Sequence, residues 1–294
     1  MTGERLGFIG LGVMGMPMAL NMVAAGYPMT VWGRTKEKLR PALDAGAEWA
    51  ESPKALAEAS DVICLCVWDD KAVEEVVFGP GGIAEGATSQ KLLVDHTTIH
   101  PERARELAGR LKKETRMAWV DAPVSGGDVG VRNKTLIIMA GGNAKDIDRY
   151  RPIAATTSQR MTHMGPSGSG QAAKVVNQMI IGAEVAVIAE GLAFASKYGL
   201  NCAAIPDALA GGWADSPILQ NHARRMVRAE YPNQGNQALM LKDIGIAVDL
   251  GAKTDVDMPV TRVVAELYRE LEGRGHGGKG QIGLMWLYSQ KPLA

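Results

Sequence analysis

From residue 5 to about residue 140, short apolar runs rich in β-branched residues alternate with longer stretches of helical periodicity, a rhythm that few architectures accommodate. The runs cover 6–9, 29–32, 62–67, 92–95, 119–121 and 136–139. Val62-Ile63-Cys64-Leu65-Cys66-Val67 has no polar face, as expected of a parallel strand covered on both sides, so helices must lie on both faces of the sheet. The expected class is α/β, with an N-terminal doubly wound sheet.

Beyond Gly165-Pro166-Ser167-Gly168-Ser169-Gly170 the pattern changes. Residues 171–198 contain no proline, turn cluster or strand-like alternation and predict one long interdomain helix, stopped at Gly199. Amphipathic helical patterns follow at 205–210, 218–229, 239–250 and 260–272, separated by turn signals such as Gly211-Gly212 and Tyr231-Pro232-Asn233. At roughly 150 residues per domain, two domains are expected: 1–165 around the sheet and 166–294 all-helical. The run from Gly273 to Gly280 is a glycine-rich loop expected to be mobile.

Thirty-two Lys plus Arg offset thirty-two Asp plus Glu, so no net positive field favours nucleic acid or an anionic membrane. Cys64, Cys66 and Cys202 lack metal-ligand spacing and predict reduced thiols in a cytoplasmic protein. Glu4, Pro17 and Asn21 argue against a secretory leader, and Asn177, Glu184 and Glu190 interrupt the longest apolar segment, so no membrane span is expected. The five histidines form no H-E-x-x-H, and no metal site is expected.

Gly10-Leu11-Gly12-Val13-Met14-Gly15 sets G-x-G-x-x-G between the first strand and the first helix, the context in which it binds a dinucleotide and marks a Rossmann domain. Its glycines allow a tight turn, approach of a pyrophosphate to bare backbone, and close helix packing at a positive helix end. The second strand ends in Trp32-Gly33-Arg34-Thr35, followed by Lys36 and Lys38, instead of the acidic residue that would hold the ribose of NAD. Arg34, Thr35 and Lys38 favour the 2′-phosphate of NADP, with NAD possible; solvated surface charges are the alternative.

Asp121-Ala122-Pro123-Val124-Ser125-Gly126-Gly127 leaves a strand end where ligands bind in open α/β sheets, offering the Ser125 hydroxyl and the Gly126 and Gly127 N–H groups to a small carboxylate. Taken alone it fits an ordinary strand-to-helix turn better. On the long helix Gly170, Lys174, Asn177 and Gln178 share one face. There Lys174 can exchange a proton, Asn177 can orient it, and Gly170 can leave room for a ligand, unless the ammonium merely snorkels to solvent. Lys242-Asp243 adds a cation to the second domain.

These four segments, in this order, resemble the β-hydroxyacid dehydrogenase family over essentially the whole chain. The resemblance implies that Lys174 is the general acid/base, that Ser125, Gly126 and Gly127 bind the substrate carboxylate with help from Asn177, and that Lys242 sits beside the nicotinamide. It also implies cofactor contacts at Val67 and Thr98. The chain departs from the family pattern at Gly33, at Trp68-Asp69 and at Gly280-Gln281-Ile282-Gly283. The implied activity is NAD(P)-dependent interconversion of a small β-hydroxy acid and its semialdehyde or keto acid, such as tartronate semialdehyde, 3-hydroxyisobutyrate or succinic semialdehyde. An NADPH-dependent imine reductase and a non-catalytic NADP-binding scaffold are the alternatives; imine reductases usually carry Asp or Tyr where this chain has Lys174. Apolar residues on several faces of the long helix, Val175, Met179, Ile180, Val187 and Ile188, predict a homodimer or homotetramer.

Overall fold

The computed structural model describes residues 3–231 and 237–293. The chain forms two compact units, Met1–Lys174 and Val175–Ala294. In the first, the order is β1 (Leu6–Ile9), α1 (Gly15–Ala24), β2 (Met29–Trp32), α2 (Arg40–Asp44), β3 (Glu48–Trp49), α3 (Pro53–Ala59), β4 (Val62–Leu65) and α4 (Asp70–Phe78). There follow β5 (Leu92–Asp95), α5 (Pro101–Thr115), β6 (Ala118–Asp121), β7 (Val124–Ser125), α6 (Gly127–Arg132), β8 (Leu136–Gly141), α7 (Ala144–Ala154) and β9 (Ser158–Gly165). Helix α8 (Ser169–Tyr198) runs on into the second unit, which holds α9 (Ile205–Leu209), α10 (Arg224–Val227), α11 (Gln237–Thr254) and α12 (Pro259–Gly273). The expected turn at Pro232-Asn233 lies outside the described residues.

The strands form one sheet in the order β3-β2-β1-β4-β5-β6-β8-β7, with β9 beside β8. Strand periodicity explains the unbroken apolar runs, because alternate residues feed opposite cores. Phe8, Cys64, Val94 and Val120 pack with Met18, Ile147 and Tyr150 on one face. Ile9, Ile63, Leu65 and Leu93 pack with Leu56, Val73, Leu107 and Leu111 on the other. The sheet is therefore doubly wound, as the sequence predicts.

Its far edge departs from the parallel pairing of the other strands. β8 runs antiparallel to β6 and β7, because the link from Ser125 to Leu136 holds only the six-residue α6, too short for a crossover. β3 and β9 were not legible: β3 is two exposed residues, and β9 is largely solvent-facing, with Met161 packed inward.

In the second unit, Val185, Ala189 and Leu192 of α8 pack with Met226, Ile244, Val264 and Tyr268. Gly182 lets α8 close on Ile244, whose Cδ1 would stand 2.9 Å from an added Cβ. By length and composition α8 alone among the described helices could cross a membrane. The helix expected at 218–229 forms over 217–227, with a π-helical turn at Leu219–Ala223 running into α10. Gln220 there reaches the Pro206 carbonyl and Asp215, a long-range pull that periodicity does not register. The glycine-rich loop holds a 3₁₀ turn, and Lys279 lies 3.9 Å from the Trp286 ring centroid.

Candidate active site

Register brings the residues of the first unit together. Trp32, Ile9, Leu65, Asp95 and Asp121 pair in one row across β2, β1, β4, β5 and β6. Arg34, Gly10, Val67, Thr98 and Ser125 each follow within four residues of that row, so all five lie at the carboxyl edge of the parallel strands, where open α/β sheets bind ligands.

The three glycines of the first loop differ in what surrounds them. At Gly10, φ is +92° and a Cβ would run into the Cys66 carbonyl; at Gly15 a Cβ would run into the Gly10 carbonyl. At Gly12 nothing lies within 4 Å of an added Cβ. Two glycines thus serve the fold and the third leaves an open approach. Leu11 and Met14 pack against the core while Val13 is 61% exposed. No side chain caps α1, and its first turn carries no acidic residue, so its positive end is left for a ligand. This cradle fits a dinucleotide pyrophosphate. Arg34, Thr35 and Lys38 are all exposed, whereas Lys36 stacks over Trp49, 3.8 Å from the ring centroid.

Beside this loop, Val67 N–H donates to Thr97 Oγ1 (3.0 Å), and Thr97 N–H donates to Asp95 Oδ1 (2.9 Å). His96 bridges strand ends: its Nδ1 lies 2.7 Å from the Ala122 carbonyl, which can only accept, so Nε2 accepts from the Tyr150 hydroxyl at 2.8 Å. Burial holds this imidazole down to about 4, against the pull of the Ala122 carbonyl. Ser125 is half-buried, and Gly126 and Gly127 take φ of +127° and +63°.

Lys174 is 7% exposed, early in α8. The start of that helix is held by Asp121, whose carboxylate accepts from Gly168 N–H (2.7 Å) and Gln171 N–H (3.0 Å). Burial raises the Asp121 pKa, while these N–H groups act against the rise. Gly170 does not clear space for a ligand as expected: its Cβ would meet the Asp121 carbonyl and Gly141 N–H at 2.7 and 2.8 Å, so its smallness seats α8 on the sheet backbone. Sequence alone assigns no role to Thr97, His96 or Gln171, whose long-range partners lie 26 to 74 residues away.

In the second unit Asn177 Nδ2 donates to Gln178 Oε1 (3.0 Å), and Gln178 Nε2 donates to the buried Asp243 (2.6 Å). Lys242 Nζ lies 3.0 Å from the other Asp243 oxygen. No cluster of three metal-ligating side chains occurs among the described residues.

Residues 5–165 match the family model for the NAD binding domain of 6-phosphogluconate dehydrogenase, and 168–288 match that for the NAD-binding of NADP-dependent 3-hydroxyisobutyrate dehydrogenase. The chain belongs to the β-hydroxyacid dehydrogenase family. It is 36% identical to 2-hydroxy-3-oxopropionate reductase of Escherichia coli, over 92% of each chain. A 3-hydroxyisobutyrate dehydrogenase of Mycobacterium tuberculosis superposes with a TM-score of 0.86 at 26% identity, covering 97% of this chain and 98% of that one. An imine reductase of Streptomyces aurantiacus is more distant, with a TM-score of 0.67 at 20% identity over 97% of this chain and all of the other, and shares the fold. Family membership makes this an oxidoreductase with NAD(P)-binding domains.

Proposed function

We propose that this β-hydroxyacid dehydrogenase interconverts a small β-hydroxy acid and its semialdehyde, with tartronate semialdehyde the first candidate and 3-hydroxyisobutyrate and succinic semialdehyde next, and that Lys174 is its general acid/base. The reading is carried by a buried lysine on a helix whose start is bonded to Asp121, in the same strand-end row as the Gly12 approach. When bound, the nicotinamide supplies or takes the hydride. Lys174 Nζ gives its proton to the substrate oxygen as the carbonyl is reduced, and takes it back in oxidation. Ser125 Oγ and the N–H groups of Gly126 and Gly127 hold the carboxylate, and Asn177 assists. Arg34, Thr35 and Lys38 hold a 2′-phosphate, so NADP(H) is preferred. Val67 and Thr98 line the cofactor and Lys242 lies beside the nicotinamide.

The test is a steady-state panel of these semialdehydes, with a cyclic imine as control, run with NADPH and NADH on the wild type and on Lys174→Ala. The expected result is semialdehyde reduction favouring NADPH, with kcat reduced at least ~100-fold in Lys174→Ala at unchanged cofactor affinity. An unchanged kcat removes the lysine from the chemistry, and turnover of the imine alone overturns the substrate class.

A further inference from the structure

Both ends of the Gln171 carboxamide are used. The side chain is completely buried; Nε2 donates to the Thr97 carbonyl at 2.6 Å, and Oε1 accepts from Ile99 N–H at 3.1 Å. These partners flank Thr98, so one amide grips the backbone on either side of that residue, much as a neighbouring strand would. Through its own N–H, Gln171 is also bonded to Asp121. A single residue thus joins the loop after β5 to the end of β6, and it stands three positions before Lys174, less than one turn of rigid helix.

We infer that Gln171 is a positioning residue for Lys174, fixing the rotation and depth of the first turn of α8 against the loop that carries Thr98. The inference rests on the acid/base reading of Lys174 and extends it by naming the group that sets where the proton is delivered. The two bonds define the side chain narrowly. Asparagine is one methylene too short to reach both partners. Glutamate keeps the bond from Ile99 but sets an oxygen against the Thr97 carbonyl, and methionine fills the volume with neither bond. A small displacement of a catalytic group is enough to cost about 100-fold in rate.

The experiment is a double-mutant cycle in the full chain. Gln171→Met and Gln171→Glu are each made alone and combined with Lys174→Ala, whose residual activity is raised with ethylamine as a diffusible proton donor. The readouts are kcat, KM, and the solvent deuterium isotope effect on kcat. The expected result is a 10- to 100-fold fall in kcat for Gln171→Met with KM changed less than threefold and a larger isotope effect. In the Lys174→Ala background the same substitution costs less than threefold, because the group it places is gone. Where Gln171→Met does not fold, Gln171→Glu reads the same cycle. A wild-type kcat in Gln171→Met, or an equal loss in both backgrounds, overturns the inference while an inactive Lys174→Ala leaves the acid/base reading standing. A fully active Lys174→Ala overturns that reading and the inference with it.

Discussion

The contrast between Gly10 and Gly12 shows how one motif divides its work between fold and ligand. An alanine at Gly10 must take φ near +92° and push its Cβ into the carbonyl of Cys66, the residue whose N–H donates to the Ile9 carbonyl and ties the end of β4 to β1. Strain of this kind costs about 1–3 kcal/mol. Gly10→Ala is therefore expected to lower Tm by several degrees, as read by thermal melting without cofactor. A Cβ added at Gly12 meets no neighbour, so Gly12→Val is expected to leave that melt within about 2 °C while raising the cofactor Kd tenfold or more. A Gly12→Val protein binding NADPH like the wild type would show that the open space in front of Gly12 is not the pyrophosphate approach. The glycine spacing was legible in the sequence because it is local; the unequal roles were not, since the Cys66 carbonyl arrives from a strand more than 50 residues away.

At the scale of elements, the parallel strands β1, β2, β4, β5 and β6 could be read because each is a short apolar run with both faces buried or nearly so. The bonds that knit their ends together could not, since His96, Thr97 and Gln171 look like ordinary polar residues until the fold supplies their partners. His96 ties the end of β5 to Ala122 after β6 and to Tyr150 on α7. Burial lowers its pKa to about 4 in the folded protein, against about 6.5 in an unfolded chain. Between those values the unfolded state binds the extra proton, so stability falls as pH drops from about 6.5 towards 4, by on the order of 3 kcal/mol at the limit. Denaturant melts at pH 7.5 and 5 should show this loss, and His96→Gln should be less stable at pH 7.5 yet flatter between the two. A His96→Gln slope equal to the wild type would place the acid sensitivity elsewhere. The Arg5 guanidinium holds the Asp61 carboxyl to about 2, so that pair keeps its contribution to well below pH 5, whereas His222, which burial also lowers to about 4, shares this window with His96.

For the whole molecule, the question left by the sequence is what covers α8. Val176, Ile180, Val187, Phe194 and Tyr198 are all exposed, at intervals of four, seven, seven and four residues. That spacing draws a single seam along the helix, close to the 3.5-residue repeat by which paired helices bury a stripe. Val175, placed by the sequence among the interface residues, is instead buried within its own chain, while Ile180 and Val187 belong to the seam. Phe194 and Tyr198 stack at its end, 5.7 Å between ring centroids, and give it an aromatic anchor. A stripe of this length is costly to leave in water, and a second copy of the chain offers the same stripe in return, the condition for a two-fold interface. A dimer or tetramer is therefore expected in detergent-free sedimentation. Phe194→Glu combined with Val187→Glu should shift it to monomer, since each carboxylate would meet an apolar partner, while the isolated monomer keeps its far-UV circular dichroism. Sedimentation of the wild type as a monomer, or an unchanged assembly in the double variant, would show that this face is not where copies meet.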